Sequence, residues 1–353
     1  MPTGIALLGA GVFAKREHLP AIKSCPLLRL KAVYSRSQAS AESLVAAAGE
    51  DVDSYFDSPT KPSQSLDDLF RRDDIAGVVI AVAIPATPDL IKRALAAGKH
   101  VLSEKPIAPD VKTARELIDY HHRQTSKLQW AIGENFRFWE SVDKAASILK
   151  NMHGSLVTLS VTAYTFTDAE TPFYHSDWRQ KPEHQGGYLL DGGVHFVAVL
   201  RTLLAAVGDT VNCVAAYTTS LQEHLPPVDT VHAILRTSNG RSGTYTSSVG
   251  IEAKRMMEFE IVTDKGSVIY RPFQTEIITR QKLEGKWEEQ SEPAPLMWGV
   301  KEEVAAFAEG ISRGEMDSRL SPSEALEDVR IVEAMLRSGG AQGLPVDVAT
   351  DTA

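Results

Sequence analysis

The sequence has few cysteines, no cluster of basic residues and no long apolar run. Two cysteines, Cys25 and Cys213, lie far apart among 353 residues, which argues against a disulfide framework and favours a reducing compartment. The formal net charge is −9, and the chain lacks the Lys/Arg footprint that nucleic acids require. No run of 18 apolar residues suggests a membrane span. We therefore expect a cytoplasmic protein with a small-molecule partner, not a nucleic acid or a membrane.

The first part of the chain has the pattern of a nucleotide-binding α/β domain. Short apolar runs, at residues 5–8, 28–35, 76–83, 99–106 and 127–134, alternate with helical patterns, as a parallel sheet with crossover helices requires. One of these helices is predicted to begin after Asp110, a good N-cap. We predict a doubly wound parallel sheet, a Rossmann fold, over residues 1–130.

The second part, residues 131–353, has the pattern of an α+β domain with a mainly antiparallel open sheet. Residues 156–166 alternate in polarity, and turn signals follow at Asn239-Gly240, at Asp264-Lys265-Gly266 and in KLEGKW. Helices are predicted near 299–313 and 323–337, and a surface tail after Gly339. One sheet face is larger than these helices can cover, so we predict at least a homodimer.

A glycine motif follows the first predicted strand. In GAGVFA, Gly9 suits a tight turn, Gly11 lets the backbone approach a pyrophosphate, and Ala14 takes the third small-residue position. Val12 and Phe13 open the helix whose N-terminus would bind that phosphate. A plain strand-to-helix turn is the alternative. Because the motif opens a βαβ unit, cofactor binding is favoured.

The end of the second strand bears on which nicotinamide nucleotide binds. An acidic residue usually meets the ribose 2′-hydroxyl of NAD there, whereas this chain has Ser35-Arg36-Ser37. Arg36 is suited to pair with a 2′-phosphate, which favours NADP (NADPH). The alternative is that Arg36 is a solvated loop residue.

Three motifs together resemble the Gfo/Idh/MocA family, named for glucose–fructose oxidoreductase, inositol dehydrogenase and rhizopine catabolism. They are GAGVFA, AGKHVLSEKPIA at 97–108 and GGYLLDGGVH at 186–195, and their order and spacing match over nearly the whole chain. The segment from 177 to 195 is most similar to a fungal NADP(H)-dependent subgroup. The resemblance implies a nicotinamide-dependent oxidoreductase.

The resemblance also implies roles for individual residues. Lys105 of Glu104-Lys105-Pro106 would lie beside the nicotinamide and the reacting oxygen, with Glu104 also contacting the cofactor. Asp191 and His195 would face the substrate, and Trp178-Arg179 would lie near the cofactor or the substrate. Arg137, in ENFRF, falls where family members line the substrate cleft. A structural salt bridge is the alternative for Arg137.

The chemistry of these residue types agrees with those roles. Hydride transfer to or from a carbinol carbon requires a proton to move at the oxygen, which suits His195, and Lys105 would stabilise negative charge there. Asp191 and His195 share a helix face if the helix begins near Leu189, so the carboxylate could orient the imidazole. Alone, each motif has a simpler interpretation: a surface strand end for Lys105, a helix N-cap for Asp191 and a core histidine for His195.

The sequence departs from the family pattern at two places. Ala198 replaces the Asp often found three residues after the histidine, and Val82-Ala83-Ile84 with Thr87 replaces the usual Thr-Pro-Asn…His. His175 and His184 flank Trp178-Arg179 without a metal-ligand spacing, so no metal is expected.

Three functions remain compatible with the sequence. The leading one is an NADP-dependent oxidoreductase acting on a carbonyl or alcohol of a small polyhydroxylated, sugar-like molecule. The others are a non-catalytic NADP-binding regulatory protein and a redox-neutral enzyme that holds its cofactor tightly. The substrate itself is not predicted.

Overall fold

The computed structural model describes residues 2–49, 51–124 and 127–349. The chain forms two compact units. The first unit consists of the residues up to Asn135 together with Gly299–Leu326. The second consists of Phe136–Trp298 together with the residues from Glu327 onward.

The first unit is a Rossmann-like parallel sheet with helices. Its six strands lie in the order β3-β2-β1-β4-β5-β6 and pair in parallel. Residues 5–8 and 78–80 are fully buried, as expected of central strands covered on both faces. The strands are β1 (Thr3–Leu8), β2 (Leu28–Ser35), β3 (Asp53–Phe56), β4 (Gly77–Ile80), β5 (His100–Glu104) and β6 (Trp130–Gly133). The helices are α1 (Leu19–Ser24), α2 (Gln38–Ala48), α3 (Leu66–Phe70), α4 (Thr87–Ala96) and α5 (Val111–His122).

The predicted elements of this unit are confirmed, with ends that differ by a few residues. β2 has the predicted bounds, whereas β4, β5 and β6 are shorter than the apolar runs that indicated them. Asp110 caps α5, since its carboxylate accepts a hydrogen bond from the backbone N–H of Thr113 at 2.7 Å. The five predicted runs correspond to β1, β2, β4, β5 and β6, whereas β3 was not predicted.

The second unit contains a nine-stranded, mostly antiparallel sheet in the order β14-β13-β12-β11-β7-β10-β9-β8-β15, with β7 and β10 parallel. The three predicted hairpins are confirmed by the pairs β9–β10, β11–β12 and β13–β14. The strands are β7 (Leu156–Tyr164), β8 (Val211–Thr219), β9 (Thr230–Thr237), β10 (Ser242–Ser248), β11 (Met256–Thr263), β12 (Gly266–Arg271), β13 (Glu276–Leu283), β14 (Lys286–Pro293) and β15 (Val346–Asp347). The helices are α6 (Glu140–Met152), α7 (Asp177–Gln180), α8 (Tyr188–Asp191) and α9 (Gly193–Ala206).

The last two helices, α10 (Val300–Arg313) and α11 (Pro322–Gly340), match the predicted positions. α10 belongs to the first unit, where it packs against α1, β5 and β6. Its buried face includes Val304, Phe307 and Ala308, an apolar stripe at helical spacing. The predicted division into 1–130 and 131–353 did not include this return of the chain.

The prediction of a surface tail after Gly339 is wrong in part. Val346 and Asp347 form β15, which pairs with Val214 and Cys213 of β8. Ser338 helps to hold this segment, because its hydroxyl donates a hydrogen bond to the carbonyl of Leu344 at 2.7 Å. Such a two-residue strand has no pattern of its own and forms because β8 offers an unpaired edge.

One helical stretch among the described residues, Tyr188–Ala206, is long and apolar enough to cross a membrane, and 67% of its window is buried inside the structure. Within the second unit, α9 packs against α6 and β11. The apolar composition of this stretch is also typical of a helix in the core of a folded unit.

Candidate functional site

The carboxyl ends of the parallel strands meet at one edge of the first unit, which is where open α/β sheets bind ligands. β1 lies between β2 and β4, so the strand order reverses beside it, and this reversal is the expected position of a nucleotide. Apart from Trp178 and Arg179, which belong to the second unit, the predicted cofactor residues end or follow β1, β2 and β5 at this edge: Gly9, Gly11, Val12, Phe13, Ser35, Arg36, Glu104 and Lys105. The topology thus brings them to one side of the sheet.

Gly9 is required by the close approach of two strands. It has φ of 109°, and a Cβ atom there would lie 2.1 Å from the carbonyl oxygen of Ala81, beyond the end of β4. At Gly11, by contrast, a Cβ would meet no atom of the described residues within 4 Å. The helix that begins at Val12 continues through a π-helical turn, Ala14–His18, into α1. Because Gly11 is exposed and has no side chain, the N-terminus of the helix that begins at Val12 is open to an anion such as pyrophosphate.

Arg36 is exposed and directly follows β2, next to half-buried Ser35. Ser37 caps α2 by accepting a hydrogen bond from the backbone N–H of Ser40 at 3.2 Å. The structure adds an acidic side chain that sequence reasoning missed: Asp57, after β3, accepts a hydrogen bond from the Tyr34 hydroxyl at 2.9 Å. This edge thus carries Arg36 as an exposed cation and Asp57 as a hydrogen-bonded carboxylate.

Lys105 comes immediately after β5 and precedes Pro106 across a cis peptide bond. The neighbouring Glu104 is hydrogen-bonded to His18, with Oε1 and Nε2 2.6 Å apart. Its carboxylate therefore faces the π-helical turn before α1 rather than bulk solvent. At the position where the family pattern has histidine, Thr87 is buried and its hydroxyl donates to the carbonyl of Ala83 at 3.3 Å. It is therefore tied to the backbone of the preceding turn at the start of α4.

In the second unit, Trp178, Arg179 and Asp191 form a connected group. The guanidinium of Arg179 lies over the Trp178 ring, 4.0 Å from its centroid, and its Nε donates to Oδ2 of Asp191 at 2.8 Å. Asp191 is buried and ends α8, while Gly192 holds the N-cap position of α9 without a side-chain bond. Asp191 is thus not the N-cap of α9. Its carboxylate instead forms an ion pair with Arg179, twelve positions earlier.

The approach to α8 depends on a glycine with unusual backbone angles. Gly187 has φ of 48° and ψ of −121°, and a Cβ atom there would lie 2.3 Å from the carbonyl oxygen of Pro226. His184, just before it, is buried and packs near Trp178, with ring centroids 5.9 Å apart. Burial lowers the pKa of His184, so the imidazole is neutral at neutral pH.

His195 lies on the first turn of α9 and is half-buried. Its ring stacks on Phe136, with centroids 4.2 Å apart and an interplanar angle of 13°, and Phe136 in turn stacks on Trp139. This stack fixes the plane of the imidazole, and the residue as a whole is not fully buried. The position differs from that of a fully buried core histidine.

Arg137 is 5% exposed and bonds Asp328 of α11, which also accepts a hydrogen bond from Arg201 at 2.8 Å. Asp328 is 3% exposed on its side chain, and Arg201 is 19% exposed. This contact supports the structural salt bridge that was the alternative for Arg137. Its predicted contact with substrate stays a prediction.

The comparisons with known proteins agree with the sheet and the motif positions. Residues 3–131 match the oxidoreductase family's NAD-binding Rossmann fold, and residues 146–348 match its C-terminal alpha/beta domain. These two matches define an NAD(P)-binding oxidoreductase. The chain belongs to the Gfo/Idh/MocA family.

Curated relatives and solved structures extend this similarity over the chain. Dehydrogenase FPY6 of Fusarium mangiferae is 44% identical over 96% of this chain and 97% of its own length. Inositol 2-dehydrogenase of Rhizobium meliloti is 27% identical over 79% of each chain. The crystal structure of an oxidoreductase from Thermotoga maritima superposes with a TM-score of 0.85, at 27% identity, and covers 99% of each chain.

Proposed function

We propose that the protein is an NADP-dependent oxidoreductase acting on an alcohol or carbonyl group of a small polyhydroxylated molecule. The observation that carries this proposal is the position of Lys105 directly after β5, at the same sheet edge as the Gly9–Gly11 turn. A cation there suits the oxygen of the reacting carbon. The similarity to inositol 2-dehydrogenase supports a polyhydroxylated substrate.

In this proposal each residue has a defined role. The Gly9–Gly11 turn binds the pyrophosphate, and the bound nicotinamide supplies or accepts the hydride. His195 gives a proton to the substrate oxygen or takes one from it, and Lys105 stabilises the negative charge that develops on that oxygen. Asp191 binds the guanidinium of Arg179, which stacks on Trp178. In this proposal the three residues form one fixed side of the substrate site.

The experiment that tests this function is a screen of sugars, cyclic polyols and small aldehydes against NADPH oxidation and NADP⁺ reduction. A substrate turned over with one nucleotide consumed per product is the expected result. Turnover without net nucleotide consumption would indicate the redox-neutral enzyme. Tight nucleotide binding with no turnover of any compound would favour the regulatory protein.

Cofactor preference is expected to depend on Arg36. A guanidinium–phosphate contact contributes roughly 1.5–3 kcal/mol, or about 10- to 100-fold in affinity. Arg36→Ala should weaken NADPH binding by about that factor and leave NADH binding nearly unchanged. Fluorescence titration of both nucleotides measures this.

Arg29 provides the matched control, because it is exposed at the opposite end of the same strand. Arg29→Ala should leave both affinities unchanged. The loss in Arg36→Ala should shrink at high salt, since the contact is charged. Equal wild-type affinities for NADH and NADPH would contradict the role given to Arg36.

We also propose that the protein forms a homodimer through the open face of the second unit's sheet. Tyr217 and Ile234 are 64% and 52% exposed on neighbouring strands of this sheet, a pattern that favours association. Sedimentation at micromolar concentration should show a dimer, and Ile234→Glu should shift it to monomer. Leu27→Glu, at an exposed position of the first unit, is the control. A monomeric wild type would refute this assembly.

A further inference from the structure

Three ionisable side chains from distant parts of the sequence meet in the interior of the first unit. His18 lies in the π-helical turn before α1, Glu104 ends β5, and Glu303 lies in the first turn of α10. One ring nitrogen of His18 and one carboxylate oxygen of each glutamate lie within 4.8 Å of one another. Since the three segments are separated by up to 285 positions, no sequence spacing could have indicated this group.

The cluster is buried, and Glu303 lacks the partners that a buried carboxylate requires. His18 and Glu303 are 0% exposed, and Glu104 is 12% exposed on its side chain. Among the described residues, neither carboxylate oxygen of Glu303 has a hydrogen-bond partner, and neither does Nδ1 of His18. A buried charge without a partner is strongly unfavourable. Because the pKa of Glu303 is raised even with Lys105 acting on it, its ionised form requires a further counter-charge.

The electrostatics of Glu303 favour its protonated form in the metal-free protein. Burial raises the pKa of Glu303, the negative charges of Glu104 and Glu134 raise it further, and Lys105 opposes this. A divalent cation between the carboxylates would offset this repulsion and favour the ionised form of Glu303.

A glycine keeps the space between the two glutamates clear. A Cβ atom at Gly133, in β6, would lie 3.3 Å from Oε1 of Glu303 and 3.6 Å from Oε1 of Glu104. The two carboxylate oxygens thus border the same small volume. Any larger side chain at this position would occupy it.

We propose that His18, Glu104 and Glu303 bind one divalent first-row transition-metal ion. One imidazole nitrogen and two carboxylate oxygens form a mixed donor set that suits Zn²⁺ or Mn²⁺. On binding, His18 and Glu104 exchange their mutual hydrogen bond for bonds to the ion. The role of the ion is structural, because it ties the π-helical turn before α1 to β5 and α10 and fixes Glu104, the residue before Lys105. It takes no part in hydride transfer.

The test is metal binding by the untagged full-length protein. After EDTA treatment and equilibrium dialysis against Zn²⁺ or Mn²⁺, the wild type should retain about one ion per chain by elemental analysis. Glu303→Gln keeps the shape but removes a charged ligand, so affinity should fall roughly tenfold or more. Glu302→Gln, one residue earlier in the same helical turn and half-exposed, is the matched control and should bind like the wild type.

Thermal denaturation gives a second readout, because an ion that binds the folded chain raises the unfolding midpoint. The added ion should raise the midpoint of the wild type and of Glu302→Gln, and should not raise that of Glu303→Gln. Gly133→Val, which fills the space and keeps all three ligands, should also lose the ion. A wild type without stoichiometric metal overturns the proposal, as does equal binding by Glu303→Gln. A Glu303→Gln protein that is more stable than a metal-free wild type would instead assign Glu303 as a buried protonated carboxyl.

Discussion

Lys105→Ala and His195→Ala are each expected to lower kcat by roughly 10²–10⁴ on a substrate found by the screen, the range for a lost charge-stabilising or acid–base group. Neither change should abolish nucleotide binding, since the Gly9–Gly11 turn and Arg36 remain. Steady-state kinetics measures the loss, and nucleotide titration measures binding.

The contact between His195 and Phe136 allows a sharper variant. His195→Phe keeps an aromatic ring to stack on Phe136 but has no nitrogen to move a proton. If proton transfer is the role of His195, this variant should lose as much kcat as His195→Ala. If only the stack matters, it should retain turnover, which would remove His195 from the chemistry. Lys112→Ala, an exposed position on α5, is the control for Lys105 and should behave as wild type.

Asp328→Ala is expected to lower the free energy of unfolding by about 3–5 kcal/mol, the range for removal of one partner from a buried ion pair. The change leaves Arg137 buried without its carboxylate and places it near Arg201, a second positive charge. Chemical denaturation followed by circular dichroism measures the loss.

The same helix offers the control for this prediction. Glu327 precedes Asp328 and pairs with Arg330 at 3.3 Å, and its side chain is 41% exposed. Glu327→Ala should therefore cost less than about 1 kcal/mol. The double change Arg137→Met with Asp328→Leu should recover part of the loss, because it removes the buried charge at position 137, while Arg201, which also loses Asp328, is partly exposed to solvent. A single change at Asp328 that costs no more than Glu327→Ala would contradict the buried-pair argument.

Features encoded by neighbouring residues could be predicted from the sequence. The hairpin at Asn239-Gly240 follows from turn preferences, and the start of α5 follows from the cap at Asp110. The turn after β1 likewise predicts a glycine at position 9, although its close approach to the carbonyl of Ala81 depends on β4. Each depends on a few consecutive residues, so the pattern carries the information.

Features that depend on distant partners could not be predicted in this way. Arg137 meets Asp328 191 positions along the chain, and His18 meets Glu104 86 positions away. The choice between substrate contact and salt bridge for Arg137 depends on where α11 lies, which its own periodicity does not specify. Asp191 was assigned to the face of His195 by helical spacing, yet its described ion pair is with Arg179, on a separate short helix. Sequence spacing indicates a shared face, not which partner a side chain binds.

The return of residues 299–326 to the first unit has a consequence for biosynthesis. A ribosome releases β1 to β6 early but must make all of residues 136–298 before α10 becomes available. Until then, the sides of α1, β5 and β6 that α10 covers remain open to solvent. The cluster of His18 and Glu104 also lacks its third member, Glu303. The nucleotide-binding unit thus cannot finish folding as an N-terminal domain usually does during synthesis. A chain truncated after Asn135 would remain a partly open sheet that chaperones could recognise by its apolar surface.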